Sequence, residues 1–314
     1  VRADGSEVYV KIGADPEDPQ FVINDLLPHL GREQGKKPLN EAIPSESLNI
    51  LIGSWPEPDD DGSDRVKLAI MRILHEKYGI VEEDFISAEL EAVPAASARD
   101  LGFDRSLIGA YGHDDRVCAY AELAAILQLD MPEKTAVCIF ADKEEIGSEG
   151  VSGMQSEAFE HFMKTLCGMQ SVELTDCFAN SFCISADVTA AYDPNFSEVY
   201  ERRNSAYANY GIGLCKYTGS GGKSGSNDAN AEYVALVRKI MDDADVTWQT
   251  AELGKVDQGG GGTIAYITAN YGMDVIDSGV ALLNMHSPWE VSSKADIYEA
   301  YKGYKAFQKA DWER

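Results

Sequence analysis

From about Pro94 to the C-terminus the chain alternates helical runs of about ten to fifteen residues with short apolar runs of strand character. Such alternation builds a mixed or parallel sheet covered by helices, so this part must fold as an α/β domain. Helical spacing puts Tyr120, Ala124 and Leu127 on one face of a helix beginning near Asp115, and Val234, Val237 and Met241 on one starting near Asn227. A last helix runs from about Ser293 through Ile297, Tyr301 and Tyr304. Residues 135–140, 181–186 and 275–284 are apolar, partly β-branched and short, which predicts buried strands between those helices.

Residues 1–94 follow a different grammar. Period-two patterns at 7–13, 47–53 and 85–93, separated by turn residues, suggest a smaller β-rich domain. One helix interrupts it from Ser63 to Gly79, with Val66, Ile70, Ile73, Leu74 and Tyr78 at helical spacing, Ser63 as N-cap and Gly79 as stop. The acidic run 57–62 before it reads as a wet loop, a calcium role having only its charge as support. The expected division is therefore 1–94 and 95–314.

A formal charge of −26 excludes nucleic acid and anionic membrane surfaces as partners, because both repel an acidic protein. No run reaches the roughly 18 apolar residues of a membrane span. Val1-Arg2-Ala3-Asp4-Gly5 lacks the apolar core of a signal peptide, so a cytoplasmic location is expected. The six cysteines show no C-x-x-C spacing and lie in apolar surroundings, which assigns them to neither metal nor disulfide.

Two adjacent carboxylates, Glu144 and Glu145, follow the apolar run 135–140, where an open α/β sheet usually keeps its chemistry. One could hold a metal while the other handles a proton. Three further residues occupy equivalent positions: Asp187 after 181–186, Asp114 at the start of a helix, and His286 after the run 280–285. Each has a plainer reading, since Asp114 could cap its helix, Asp187 could close a turn and His286 could be a satisfied core histidine. Together, carboxylates with one imidazole and no thiolate suit a catalytic zinc, with manganese or cobalt as alternatives.

The motifs Tyr111-Gly112-His113-Asp114-Asp115, Asp142-Lys143-Glu144-Glu145-Ile146-Gly147, Ile184-Ser185-Ala186-Asp187, Lys255-Val256-Asp257-Gln258-Gly259-Gly260-Gly261 and Asn284-Met285-His286-Ser287 stand in one order along essentially the whole chain. In them the chain resembles the aspartyl aminopeptidase and aminopeptidase I family of dinuclear zinc metallopeptidases. The resemblance implies a zinc exopeptidase-like α/β catalytic domain, a mixed β-sheet flanked by helices, carrying an inserted β-rich dimerisation domain. It implies that Asp114 bridges two zinc ions, that Glu145 and His286 complete the second site, and that Asp187 belongs to the first. Glu144 would be the general base that deprotonates the zinc-activated water and returns the proton to the leaving amine. His29, in Asp25-Leu26-Leu27-Pro28-His29-Leu30, would reach a neighbouring subunit's active site. Lys216, Gly260 and Gly261 would face the substrate, a peptide whose N-terminal residue the Lys216 charge could select as acidic. Dimers, and from them a dodecamer, would follow.

The glycine-rich stretch 216–224 is no phosphate-binding loop, because Tyr217 stands where that motif requires glycine. The family's first zinc site also takes a histidine from a His-x-Asp motif on a catalytic segment preceding the inserted domain. Only His113-Asp114-Asp115 matches literally here, and it overlaps the bridging aspartate, so it is read as coincidence. His75 and His161 lie in helical runs without ligand context. The expectation is therefore a metalloaminopeptidase whose first-site histidine comes from a segment that is truncated or a separate polypeptide. The alternative is a catalytically silent relative acting as a structural or peptide-binding subunit.

Overall fold

A computed structural model describes residues 1–58, 61–261 and 263–311, so Asp59 and Asp60 of the acidic loop and Gly262 of the glycine run lie outside the described residues. The chain divides into two units, Val1–Ala95 and Ala96–Arg314.

In the first unit the helix Arg65–Tyr78 ends at Gly79, which takes the left-handed C-cap conformation and donates its N–H to His75 O. The ladder here is shorter than the period-two pattern predicts: Val22–Ile23 pairs antiparallel with Ile50–Leu51. Residues 7–13 run irregularly, and 85–87 close the 3₁₀ turn Glu82–Ser87. A strand is a property of a pair, and among the described residues these stretches find no partner.

The second unit is built on two larger sheets, beside a two-stranded ribbon of Tyr217–Ser220 and Ser224–Asp228. One has the order Trp248–Thr250, Ile212–Cys215, Asp274–Gly279, Phe182–Ser185, parallel at both edges and antiparallel in the centre. The other has the order Arg99–Leu101, Leu107–Ala110, Glu290–Ser293, Ala281–Leu283, Thr189–Ala190. The predicted strand 275–284 is thus two strands, which change sheets across Val280. The chain makes the same passage between Phe182–Ser185 and Thr189–Ala190, and Asp187 sits on that link. A Cβ on Gly279 would stand 1.9 Å from Asp187 O, so the close approach of the two passages needs glycine there.

Helices His113–Ile126, Ala231–Asp243 and Lys294–Lys309 cover this framework. Val117, Cys118, Ala121 and Ala125 form the apolar stripe of the first, and with Val237, Met241, Ile276, Leu282 and Tyr304 they make one core. The second helix starts at Ala231 rather than near Asn227, because Asn230 caps it by accepting Tyr233 N–H at 2.8 Å. Asn227 instead belongs to the strand Ser224–Asp228 and donates to Val275 O at 2.8 Å. Ser293 caps the last helix, as its position predicts.

The run 135–140 forms no strand. Val137 packs against the cluster of Met154, Phe159, Met163, Phe178 and Ile267, whereas Ile139 and Phe140 are exposed. An apolar run reports burial rather than a ladder, and this one has no neighbouring strand among the described residues. All six cysteines are free thiols. No described helix is long and apolar enough to cross a membrane.

Candidate metal centre

Asp114 follows the strand Leu107–Ala110 and lies in the first turn of His113–Ile126, with a backbone that is not yet helical. Glu144 and Glu145 open the 3₁₀ turn Glu144–Ile146, held between left-handed Lys143 and Gly147. His286 lies in a turn after Ala281–Leu283, itself left-handed at φ 64°. Residues remote in sequence thus meet: His286 Nε2 stands 2.9 Å from Asp114 Oδ2 and 3.2 Å from Glu145 Oε1. The ligand atoms of these three all lie within 4.8 Å of one another. A second group within the same limit comprises Asp114, Asp115 and Asp187. Asp114 is common to both.

Burial dominates the electrostatics, and the crowding of carboxylates adds to it. Burial raises the Asp114 carboxyl to about 6, helped by Glu145 and opposed by His286. Asp115 is pushed up to about 8, again first by burial and then by Asp114 and Glu122, against hydrogen bonding from Cys118. Asp187 is raised well above the carboxylate range by burial, with Asp277, Asp115 and Asp114 adding to it. Glu144 is raised by burial and by Glu145, while His286 opposes. Asp115 Oδ1 and Asp277 Oδ1 are buried without a hydrogen-bond partner.

Orphaned, mutually repelling carboxylate oxygens are what a bound cation would satisfy. Oxygen donors with one imidazole and no thiolate fit zinc, and would also accept manganese or cobalt. Residues Asp114, Glu145, His286 and Asp187 are therefore brought together with Glu144 beside them.

Several participants escaped the sequence reading. Asp115 looked like part of a helix start. Asp277 is 2% exposed, accepts the Thr263 hydroxyl at 2.6 Å and is raised to about 7, mainly by burial. Its signal was a lone carboxylate inside the apolar run 275–280. Glu290 accepts the Asp114 N–H at 3.0 Å and the His286 N–H at 2.8 Å.

The remaining candidates are not members of these two ligand groups. His29 sits on an exposed turn of the first unit. His113 is buried, its pKa lowered by burial, with Nδ1 3.4 Å from Ser292 Oγ. His75 and His161 are exposed. Lys216 is ion-paired with Asp228. A cavity of about 230 Å³ is lined by Asp187 and Asp277 together with Glu201, Glu252, Gly260 and Gly261, and Lys216 is not among its walls. A Cβ on Gly260, at φ +88°, would stand 2.2 Å from Gly219 O, so this loop approach requires glycine.

Residues 1–308 match the model of the Aminopeptidase I zinc metalloprotease (M18) family. The chain belongs to the M18 aminopeptidase family. It is 57% identical over 311 residues to a probable M18 family aminopeptidase 1 of Clostridium acetobutylicum, with 98% of this chain and 67% of that protein covered. The crystal structure of the M18 aminopeptidase from Thermotoga maritima superposes with a TM-score of 0.94 at 47% identity, covering 98% of this chain and 69% of that one. The structure of a Saccharomyces cerevisiae mApe1 dodecamer shares the fold at TM-score 0.61 and 24% identity, over 83% of this chain and 60% of that one. This M18 chain thus spans about two thirds of the length of the bacterial relatives it matches.

Proposed function

We propose that this protein removes N-terminal residues from peptides, with zinc held by Asp114, Glu145 and His286 on one side and by Asp114 and Asp187 on the other. The observation that carries the reading is the sharing of Asp114 between two ligand groups beside a carboxyl, Glu144, whose pKa is raised. Zinc bound there supplies Lewis acidity and an acidified water at neutral pH. Glu144 takes a proton from the attacking water and passes it to the departing amine. A raised pKa suits both transfers, because the best proton shuttle has an affinity near the working pH. Glu145 and Asp114 hold charge rather than protons in this scheme, and the cavity beside Asp187 receives the first side chain of the peptide. At about 230 Å³ it suits one residue rather than a long segment.

The group of Asp114, Asp115 and Asp187, the inner of the two, offers carboxylates alone, so we assign its missing imidazole to a further segment of polypeptide. His29 is proposed to act in a neighbouring subunit. The first unit leaves Leu30, Leu39 and Trp55 at 72%, 90% and 82% exposure, which suits contact with a second copy. Light scattering tests for a dimer or a dodecamer.

Release of free amino acids from peptides, abolished by a chelator and restored by zinc, manganese or cobalt, tests the main reading; hydrolysis that survives full chelation sinks it. The all-carboxylate inner group favours one second reading, a catalytically silent oligomer subunit that binds a single metal ion. Intact mass with metal analysis tests this, since two tightly bound ions in material containing only this chain exclude the silent reading and also overturn the assignment of the imidazole to a further segment.

A further inference from the structure

We propose that Glu290 is a positioning residue of the metal centre, whose two carboxylate oxygens lock the Asp114 and His286 loops together in the arrangement that receives a divalent cation. The inference rests on the metalloaminopeptidase reading above. Glu290 begins the strand Glu290–Ser293 and pairs there with Ala110, the last residue of the strand that leads into Asp114. It is 3% exposed. A buried carboxylate is costly unless its oxygens are satisfied, and here each is used once: Oε2 accepts the Asp114 N–H at 3.0 Å and Oε1 the His286 N–H at 2.8 Å.

The geometry goes beyond capping a turn. Glu290 and Asp114 are 176 residues apart in sequence, and His286 is four residues before Glu290. One planar group therefore fixes the spacing between two backbone positions whose side chains both offer atoms to the same candidate ion. Glutamine cannot replace it: its single oxygen serves one amide and its NH₂ faces the other N–H as donor against donor. Aspartate keeps the charge but is one methylene too short to reach both loops. Partners that orient ligands without touching the metal commonly carry about 10–100-fold in metal affinity.

The test is zinc affinity, read by competition with a chromophoric chelator on the full chain and its Glu290→Gln and Glu290→Asp variants, with circular dichroism to establish folding. Both variants are expected to bind zinc about 10–100-fold more weakly while folded. A purely structural role lowers the melting temperature and leaves zinc affinity unchanged. Should Glu290→Gln fail to fold, Glu290→Asp decides alone. Wild-type protein that takes up no zinc overturns both this inference and the reading beneath it. Wild-type uptake matched by either folded variant overturns this inference only.

Discussion

The two ligand groups share Asp114 and differ in almost everything else. In the outer one the His286 and Glu145 side chains are 61% and 57% exposed, and an imidazole lies between two carboxylates. In the inner one Asp115 and Asp187 bring two more carboxylates to Asp114 in surroundings that raise all three. The outer group can assemble without a cation, because its imidazole already bridges the two acids. Full ionisation of the inner group without one is disfavoured, first by burial and then by repulsion between like charges. The two halves should therefore load by different chemistry: ligand exchange outside, proton release inside.

The largest expected effect comes from removing what they share. Asp114→Asn should abolish tight metal uptake at both groups, measured as bound zinc per chain after dialysis, whereas His286→Ala and Asp187→Asn should each impair one group. Loss of both ions from either single-group variant would break the distinction between the groups. Next in size is Glu144→Gln, expected to lower kcat by about 10²–10⁴-fold with zinc content unchanged, the span typical for a positioned proton carrier. A loss of zinc equal to the loss of rate would make Glu144 a ligand instead.

The same contrast runs through what could be read from the sequence. The outer group could be nominated because its members stand at element ends, where ligand-type side chains from remote segments can converge. His286 and Glu145 are such residues, and within each unit a helix announced itself through capping and spacing, at Ser293 in the second and at Gly79 in the first. The inner group was legible in part. Asp187 was a candidate, but Asp115 lies in a polar helix start and Asp277 inside an apolar run, and their raised pKa values come from burial that only tertiary packing creates. Glu290 was illegible for a further reason: it acts on backbone amides, which leave no residue-type signature at the other end. The failed strand at 135–140 is of the same kind, because a ladder depends on a neighbour that the run itself does not encode.

Proton linkage gives a smaller effect that tests the inner half directly. Asp115 has a folded-state pKa of about 8 and Asp114 about 6, both above the ordinary 3.8. The folded, metal-free protein therefore holds protons that the unfolded chain gives up. Their contribution to stability is complete below about pH 4 and is lost as pH rises toward 8. A cation reverses this by favouring the ionised forms. Zinc affinity should rise between pH 6 and 8 by roughly tenfold per pH unit for each proton released. Calorimetry in buffers of different ionisation enthalpy counts those protons; a count of zero would remove the contrast between the halves.

The smallest expected effect concerns the cavity that adjoins the inner group. The sequence made Lys216 a candidate for selecting acidic N-terminal residues, but its charge is engaged by Asp228, and the walls carry Glu201 and Glu252 instead. Glu252 is raised chiefly by burial, with Lys216 opposing, so the lysine compensates a wall carboxylate rather than presenting a free cation. Glu201 has Arg203 at 3.0 Å, which leaves Glu252 the stronger deterrent to an acidic side chain. Partly exposed charge pairs contribute about 0.2–1 kcal/mol, which converts to changes in kcat/KM of up to about fivefold. Glu252→Gln should thus improve hydrolysis of N-terminal Asp and Glu relative to Leu by up to about that factor, and Lys216→Ala should shift the ratio less. An aminoacyl substrate panel measures both. A strong acidic preference in the wild type that collapses on Lys216→Ala would return the lysine to the substrate and make the inner half of the site a carboxylate receptor.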